Sequence, residues 1–168
     1  LFYECKLANK SYSKFADIRN YDLLKKSMID FDPDVVIHMA AQPLVRDSYI
    51  NPIDTYSTNV MGTVNLLNSC RYCNKLKSVV VITTDKCYEN FEKNNGYIET
   101  DPMGGHDPYS SSKGCAELAT SAYSRSFFNN NNLANIASVR AGNVIGGGDW
   151  SKDRLIPDIL RCFEKNEK

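Results

Sequence analysis

The chain has 168 residues and a mass of 18.9 kDa. That length suits one domain, and a chain of this size buries roughly 70% of its unfolded surface without needing staples. A composition of 42% hydrophobic and 24% charged residues, with 9 Gly and 6 Pro, excludes collagen-like, disordered and low-complexity classes. Lys+Arg and Asp+Glu number 20 each, so the basic excess of a general nucleic-acid or anionic-membrane binder is missing.

No apolar run approaches the about 18 residues that a bilayer crossing requires, and no basic-then-apolar signal segment opens the chain. No nucleic-acid partner, no membrane and a cytoplasmic location are therefore expected. The first residue is Leu1, not Met, which hints at a piece of a longer protein. Six cysteines (Cys5, Cys70, Cys73, Cys87, Cys115, Cys162) read as free thiols in a reducing compartment, because the chain is too core-rich for a disulfide scaffold. Cys70 and Cys73 form one CxxC without a second pair or a nearby His. They read as two small hydrophobes near a helix end, and no metal site is expected.

In chain order, a weak strand is expected over Lys14 to Asp17. A helix over Tyr21 to Phe31 follows, with Leu23, Leu24, Met28 and Phe31 at helical spacing. Asp34 to Met39, Ser78 to Thr83 and Asn135 to Arg140 are short β-branched runs and read as buried strands. Their continuous apolar character predicts a parallel sheet covered on both faces. Between them, Thr55 to Asn74 reads as a helix with Val60, Val64 and Leu67 on one stripe. Asp107 to Asn129 reads as another, opening with Asp107 as N-cap and Pro108 at the first helical position. The Asn run 129–132 reads as a loop, and Leu155 to Lys165 as a last helix. This alternation is the signature of an α/β, doubly wound Rossmann-like fold with a parallel sheet.

The sharpest chemical signal is Tyr109-Ser-Ser-Ser-Lys113. Spacing of i, i+4 places phenol and ammonium on one helix face, and a cation beside a phenol favours phenolate. Tyr109 could then take a proton from a substrate hydroxyl. Alone the pattern is weak, since surface Tyr–Lys pairs are common. Context strengthens it: one strand ends in Thr83-Thr84-Asp85-Lys86 and another in His38-Met39-Ala40-Ala41-Gln42. Ligands of α/β folds bind at such carboxyl ends, and two alanines allow close approach to the backbone. Asn59 is a polar residue in an apolar helical stretch, suited to bracing a neighbouring loop.

HMAAQPLVRDSY, TNVMGTVNLL, TDKCYEN, DPMGGHDPYSSSKGCAEL and RAGNVIGGGDWSKDRLIPD together resemble the extended short-chain dehydrogenase/reductase family. Within it, they resemble the CDP-glucose 4,6-dehydratases. The resemblance spans His38 to Asp158 and is loose before His38. It implies NAD as cofactor and a sugar nucleotide, CDP-glucose, as substrate. It also implies a homodimer when full length, and a product destined for deoxysugars of surface polysaccharide. By resemblance Asp17 and Ile18 contact the adenine, and Ala40, Ala41 and Gln42 turn over the cofactor's phosphates and ribose. Asn59 stands behind the site. Tyr109 is the base, and Lys113 its partner on the nicotinamide ribose. Thr84 shares the 4-OH proton with Tyr109. Arg46, Ser48, Asn143 and Arg154 lie where the family holds the sugar nucleotide; Arg46 and Arg154 otherwise read as solvated charges.

The implied chemistry is oxidation at C4, elimination of water across C5 and C6, and return of hydride to C6. Asp85 is the implied acid. Many relatives carry Asp-Glu at this point; here Asp85-Lys86 matches the CDP-glucose enzymes, which makes Lys86 the implied C5 base. Gly146-Gly147-Gly148 lacks the features of a phosphate loop and reads as a turn beside the substrate, with Trp150 as a packing wall. The family's Gly-rich first turn has no counterpart before His38. The chain is therefore expected to be an internal part of a longer enzyme, with 1–145 a partial NAD-binding domain and 146–168 the start of a substrate region. Such a piece is expected to be poorly soluble and to lack tight NAD binding. Other readings on the same scaffold are another sugar-nucleotide dehydratase or 4-epimerase, a binding module, and an inert remnant.

Overall fold

A computed structural model describes residues 5–129 and 133–165, in two compact units. The larger unit, Ala16–Gly142, carries three parallel strands in the order β1 (Val35–His38), β2 (Ser78–Thr84) and β3 (Asn135–Ala141). Val35 pairs with Ser78 and His38 with Val81, while Ser78 pairs with Asn135 and Thr84 with Ala141. β2 thus runs three residues beyond the end of β1.

Helix α1 (Tyr21–Phe31) has the predicted limits. The Asn20 side chain accepts from the Leu23 N–H at 3.1 Å and starts it. It ends at Asp32, which takes a left-handed φ of 47° and gives its N–H to the Met28 carbonyl. The Asp32 carboxylate then accepts the Asn74 N–H at 2.7 Å, tying the chain ahead of β2 to α1.

The β1-to-β2 crossover holds α2 (Val45–Ile50), α3 (Pro52–Tyr56), a π turn (Ser57–Met61) and α4 (Gly62–Cys70). The single helix predicted over Thr55 to Asn74 is therefore longer at its start, shorter at its end and interrupted. α2 escapes sequence reading because it has six residues and no side-chain cap. Helix α5 (Pro108–Tyr123) continues into a second π turn (Ser124–Phe128), and Asp107 caps it as predicted, accepting the Ser110 N–H at 2.9 Å. Of the expected Asn loop, 130–132 lie outside the described residues.

The predicted strand over Lys14 to Asp17 does not form. These residues make no ladder, and the boundary between the two units falls within them. Of the two sheet faces expected to be covered, the described residues cover one. Val36, His38, Val79, Val81 and Thr83 are buried on one face, where Leu66, Leu67, Leu24, Met28 and Phe128 close the core. On the other face Val35, Ile37 and Val139 are exposed. Both crossovers advance in the same direction across the sheet, and right-handed crossovers of one direction put their helices on one face.

Cys70 and Cys73 belong to this core, and burial pushes the Cys70 thiol up to about 12. That suits a packing role for the CxxC pair. The smaller unit contains a 3₁₀ turn (Leu7–Asn9) and α6 (Leu155–Lys165), whose limits match the prediction.

His38 is buried, and its Nε2 lies 2.9 Å from Thr63 Oγ1. Thr63 donates its own proton to the Asn59 carbonyl at 2.7 Å, so His38 Nε2–H is the donor. Burial first, and the Lys113 charge second, lower the His38 pKa from 6.5 to about 4. The unfolded chain protonates this ring near pH 6.5 and the folded chain only near pH 4, so folding expels a proton in between. Stability is complete above pH 6.5 and falls by roughly 3 kcal/mol as pH drops toward 4. Urea midpoints measured at pH 7 and 4.5 should show this fall in the native chain and a much smaller one in His38→Gln.

Candidate active site

The carboxyl end of β2 supplies the first cluster. Thr84 is buried, and its hydroxyl donates to Asp85 Oδ1 at 3.2 Å while accepting the Lys86 N–H at 3.4 Å. This bond caps a 3₁₀ turn (Asp85–Cys87) that brings both charged side chains to the strand's end. Lys86 Nζ lies 3.3 Å from Asp85 Oδ1, and both side chains are about half exposed. A groove of about 1030 Å³ opens over them, lined also by Tyr88, Tyr97, Asp107 and Arg140.

Helix α5 supplies the second cluster. Tyr109, in its first turn, is half-buried; Lys113, one turn on, is buried. The Lys113 ammonium donates to the Ile82 carbonyl of β2 at 3.3 Å, and burial lowers its pKa. That bond uses one of its three protons, so a buried cation with donors to spare lies under the site. The Gly104-Gly105 segment packs against the start of α5. Gly105 has φ +113°, and a Cβ there would lie 2.6 Å from the Ser110 carbonyl carbon.

Asn59 joins this helix to the end of β1. Its Oδ1 accepts the Gln42 N–H at 2.8 Å, and its Nδ2 donates to the Gln42 carbonyl at 3.1 Å and to Ser112 Oγ at 2.8 Å. Gln42 Nε2 in turn donates to Thr55 Oγ1 at 2.8 Å. The Ala40–Gln42 turn is thereby fixed at Gln42. Asn59 lies within the Ser57–Met61 π turn, a local geometry common at functional sites.

Asp17 is exposed and both its oxygens are engaged by Arg19, which holds its carboxyl down at about 2. Ile18 packs on Gly62, and Asn65 Nδ2 donates to the Ile18 carbonyl at 3.2 Å. Arg46 is exposed, whereas Ser48 is fully buried and gives its hydroxyl to the Val45 carbonyl at 2.6 Å. Asn143 and Arg154 lie in the smaller unit, where Arg154 Nε is 3.8 Å from Asp149 Oδ2. Gly146 and Gly147 are open to solvent there, and Trp150 is 65% exposed.

One cluster escaped sequence reading. Glu117 is buried on α5, and its carboxylate accepts from Thr83 Oγ1, from Ser138 Oγ at 2.8 Å and from Arg140 Nη2 at 3.2 Å. Burial alone would raise its pKa, but the bonds from Arg140, Thr83 and Ser138 outweigh this and hold it below the usual range. Arg140 also reaches the Glu99 carbonyl and stacks over the Tyr88 ring at 4.7 Å. The missed signal is spacing: Glu117 follows Lys113 by one helical turn, and Arg140 shares strand parity with Ser138.

The arrangement places a hydroxyl, a carboxyl, an amine and a phenol on elements meeting at one sheet edge. Small residues and a buried ammonium flank them. This donor set suits a dinucleotide lying across the edge and proton transfer to a polyol beside it.

A parallel sheet with such a carboxyl edge defines a Rossmann-like protein. The model of the NAD dependent epimerase/dehydratase family matches residues 5–168, and the chain belongs to that family. It is 58% identical to CDP-glucose 4,6-dehydratase of Salmonella typhimurium, over 100% of this chain and 48% of that protein. It is 30% identical to dTDP-D-glucose 4,6-dehydratase of Dictyostelium discoideum, over 80% of this chain and 32% of that protein. Among solved structures, it superposes on the Thermus thermophilus UDP-glucose 4-epimerase complex with NAD at a TM-score of 0.71 and 28% identity. That match covers 82% of this chain and 43% of the other. A dTDP-glucose 4,6-dehydratase from Streptomyces venezuelae with NAD bound gives 0.78 at 25% identity, over 90% and 44%. The chain spans about half, or less, of the length of these relatives.

Gly105→Ala should destabilise the larger unit by at least about 2 kcal/mol, because a side chain meets both a positive φ and fixed backbone. Gly96→Ala, with nothing within 4 Å of the added carbon, should change the denaturation midpoint little.

Proposed function

We propose that the chain carries the catalytic edge of an NAD-dependent sugar-nucleotide 4,6-dehydratase, and that the substrate is CDP-glucose. The observation that carries this reading is the Thr84–Asp85–Lys86 cluster at the end of β2, with its 3.3 Å Asp85–Lys86 contact. The 58% identity to a CDP-glucose 4,6-dehydratase supports the choice of sugar nucleotide.

Bound NAD would supply a hydride acceptor at C4 and a donor at C6. Ala40, Ala41 and Gln42 would line its phosphates and ribose, Asp17 and Ile18 its adenine, and Lys113 its second ribose. Asn59 fixes the Gln42 turn for that purpose. Tyr109 takes the 4-hydroxyl proton, with Thr84 sharing it and Lys113 stabilising the phenolate. Once C4 is a ketone, the C5 proton is acidic. Lys86, as the free amine, removes it, and Asp85, as the acid, protonates the departing 6-hydroxyl; one water leaves. As hydride returns to C6, Lys86 gives its proton back to C5, and the proton that Tyr109 took from the 4-hydroxyl replaces the one Asp85 gave to the departing water, so each turnover leaves the three groups as they began. In the larger unit, Arg46 and Ser48 are proposed to hold the nucleotide, with Ser48 acting through the backbone it anchors.

The test uses CDP-glucose deuterated at C4, NAD and the protein carrying this chain. The expected product has lost one water and bears deuterium at C6. A product with the substrate's formula would instead favour a 4-epimerase. Lys86→Ala should lower kcat by about 100-fold or more, as loss of a positioned base does. Full turnover in that variant would remove Lys86 from the base role.

A further inference from the structure

Two polar links join α5 to the central strand. Lys113 Nζ donates to the Ile82 carbonyl, and Thr83 Oγ1 donates to Glu117 Oε1. The two strand residues are consecutive and stand immediately before Thr84, Asp85 and Lys86. The two helix residues are one turn apart, and Tyr109 is one turn before them. Asn59 also holds α5 at Ser112, but a single link to the strand would leave the helix free to turn against β2. A second link one turn along removes that freedom. Glu117 adds reach, because its other oxygen accepts from Ser138 Oγ and Arg140 Nη2 of β3. One carboxylate, 4% exposed, thus ties α5 to two strands at once.

We infer that Glu117, acting with Thr83, is a positioning residue. It sets where α5 holds Tyr109 and Lys113 relative to Thr84, Asp85 and Lys86. Glu117 itself touches no reacting atom. The inference rests on the dehydratase reading for its kinetic consequence, but its geometric content does not depend on turnover.

The test compares Thr83→Val, which removes the hydroxyl and keeps the shape, with Thr83→Ser, which keeps the hydroxyl. In the protein carrying this chain, Thr83→Val should lower kcat about 10- to 100-fold with KM nearly unchanged, since small misplacements of reacting groups cost about that much. Thr83→Ser should restore most of the rate. A second readout needs no activity: 3-fluorotyrosine placed at position 109 should change its ¹⁹F resonance in Thr83→Val and recover it in Thr83→Ser. Should Thr83→Val not fold, Glu117→Gln takes its place, with the same losses expected in both readouts. Unchanged kcat and an unchanged resonance, a loss confined to KM, or failure of Thr83→Ser to rescue would each overturn the inference. If the unsubstituted protein dehydrates no CDP-glucose, the reaction reading fails, and the ¹⁹F comparison alone decides the positioning role.

Discussion

A carboxylate taken out of water must have its hydrogen bonds replaced, and Glu117 meets that demand with three side chains from two strands. The rest of the larger unit is arranged around this requirement. Apolar packing brings α4 and α5 over one sheet face, but apolar contact is non-directional and tolerates sliding. The Glu117 bonds have fixed donors, so they choose one placement of α5 out of many that the core alone would accept. Lys113 shares in the result, since its buried ammonium can bond the Ile82 carbonyl only at that placement.

The second organising constraint is the direction of the sheet. β1, β2 and β3 follow one another without a reversal, so all their connections emerge at one edge and return over one face. The candidate site residues consequently gather at the carboxyl edge: the Ala40–Gln42 turn after β1, Thr84 to Lys86 after β2, and the start of α5 beside them. Asn59 then fastens the first of these to the last. Side chains far apart in sequence meet because both connections open on the same side.

Much of this was legible in the residues. The limits of α1 follow from Asn20 and an apolar stripe, and those of α5 from Asp107 and Pro108, because caps act locally. Tyr109, Lys113 and the Thr84–Lys86 cluster announced themselves by spacing and by position after a strand. What stayed hidden was long-range. α2 is too short for a periodic signal. The Lys14–Asp17 run has strand-like residues, but a strand exists only with a partner. Continuous apolar strands suggest two covered faces, and which face the described crossovers cover depends on their direction, which no short run encodes. Glu117 and Arg140 carry no local mark of their pairing, and their burial becomes visible only when α5 lies over β2 and β3.

The helical path from Pro52 to Cys70 contains one residue more than an unbroken α-helix would need at its Ser57–Met61 turn, where the Gly62 N–H reaches back to the Ser57 carbonyl. Each residue of an α-helix advances the azimuth by about 100°. The extra residue therefore offsets the face that α3 offers from the face that α4 offers. α4 keeps Leu66 and Leu67 in the core, while Thr55 and Asn59 point toward the Gln42 turn. This gives the segment an unusual sensitivity to length. Substitutions within the turn leave the offset in place, but loss of a single codon would swing one half against the other. Families built on this segment should accordingly hold residue number constant there.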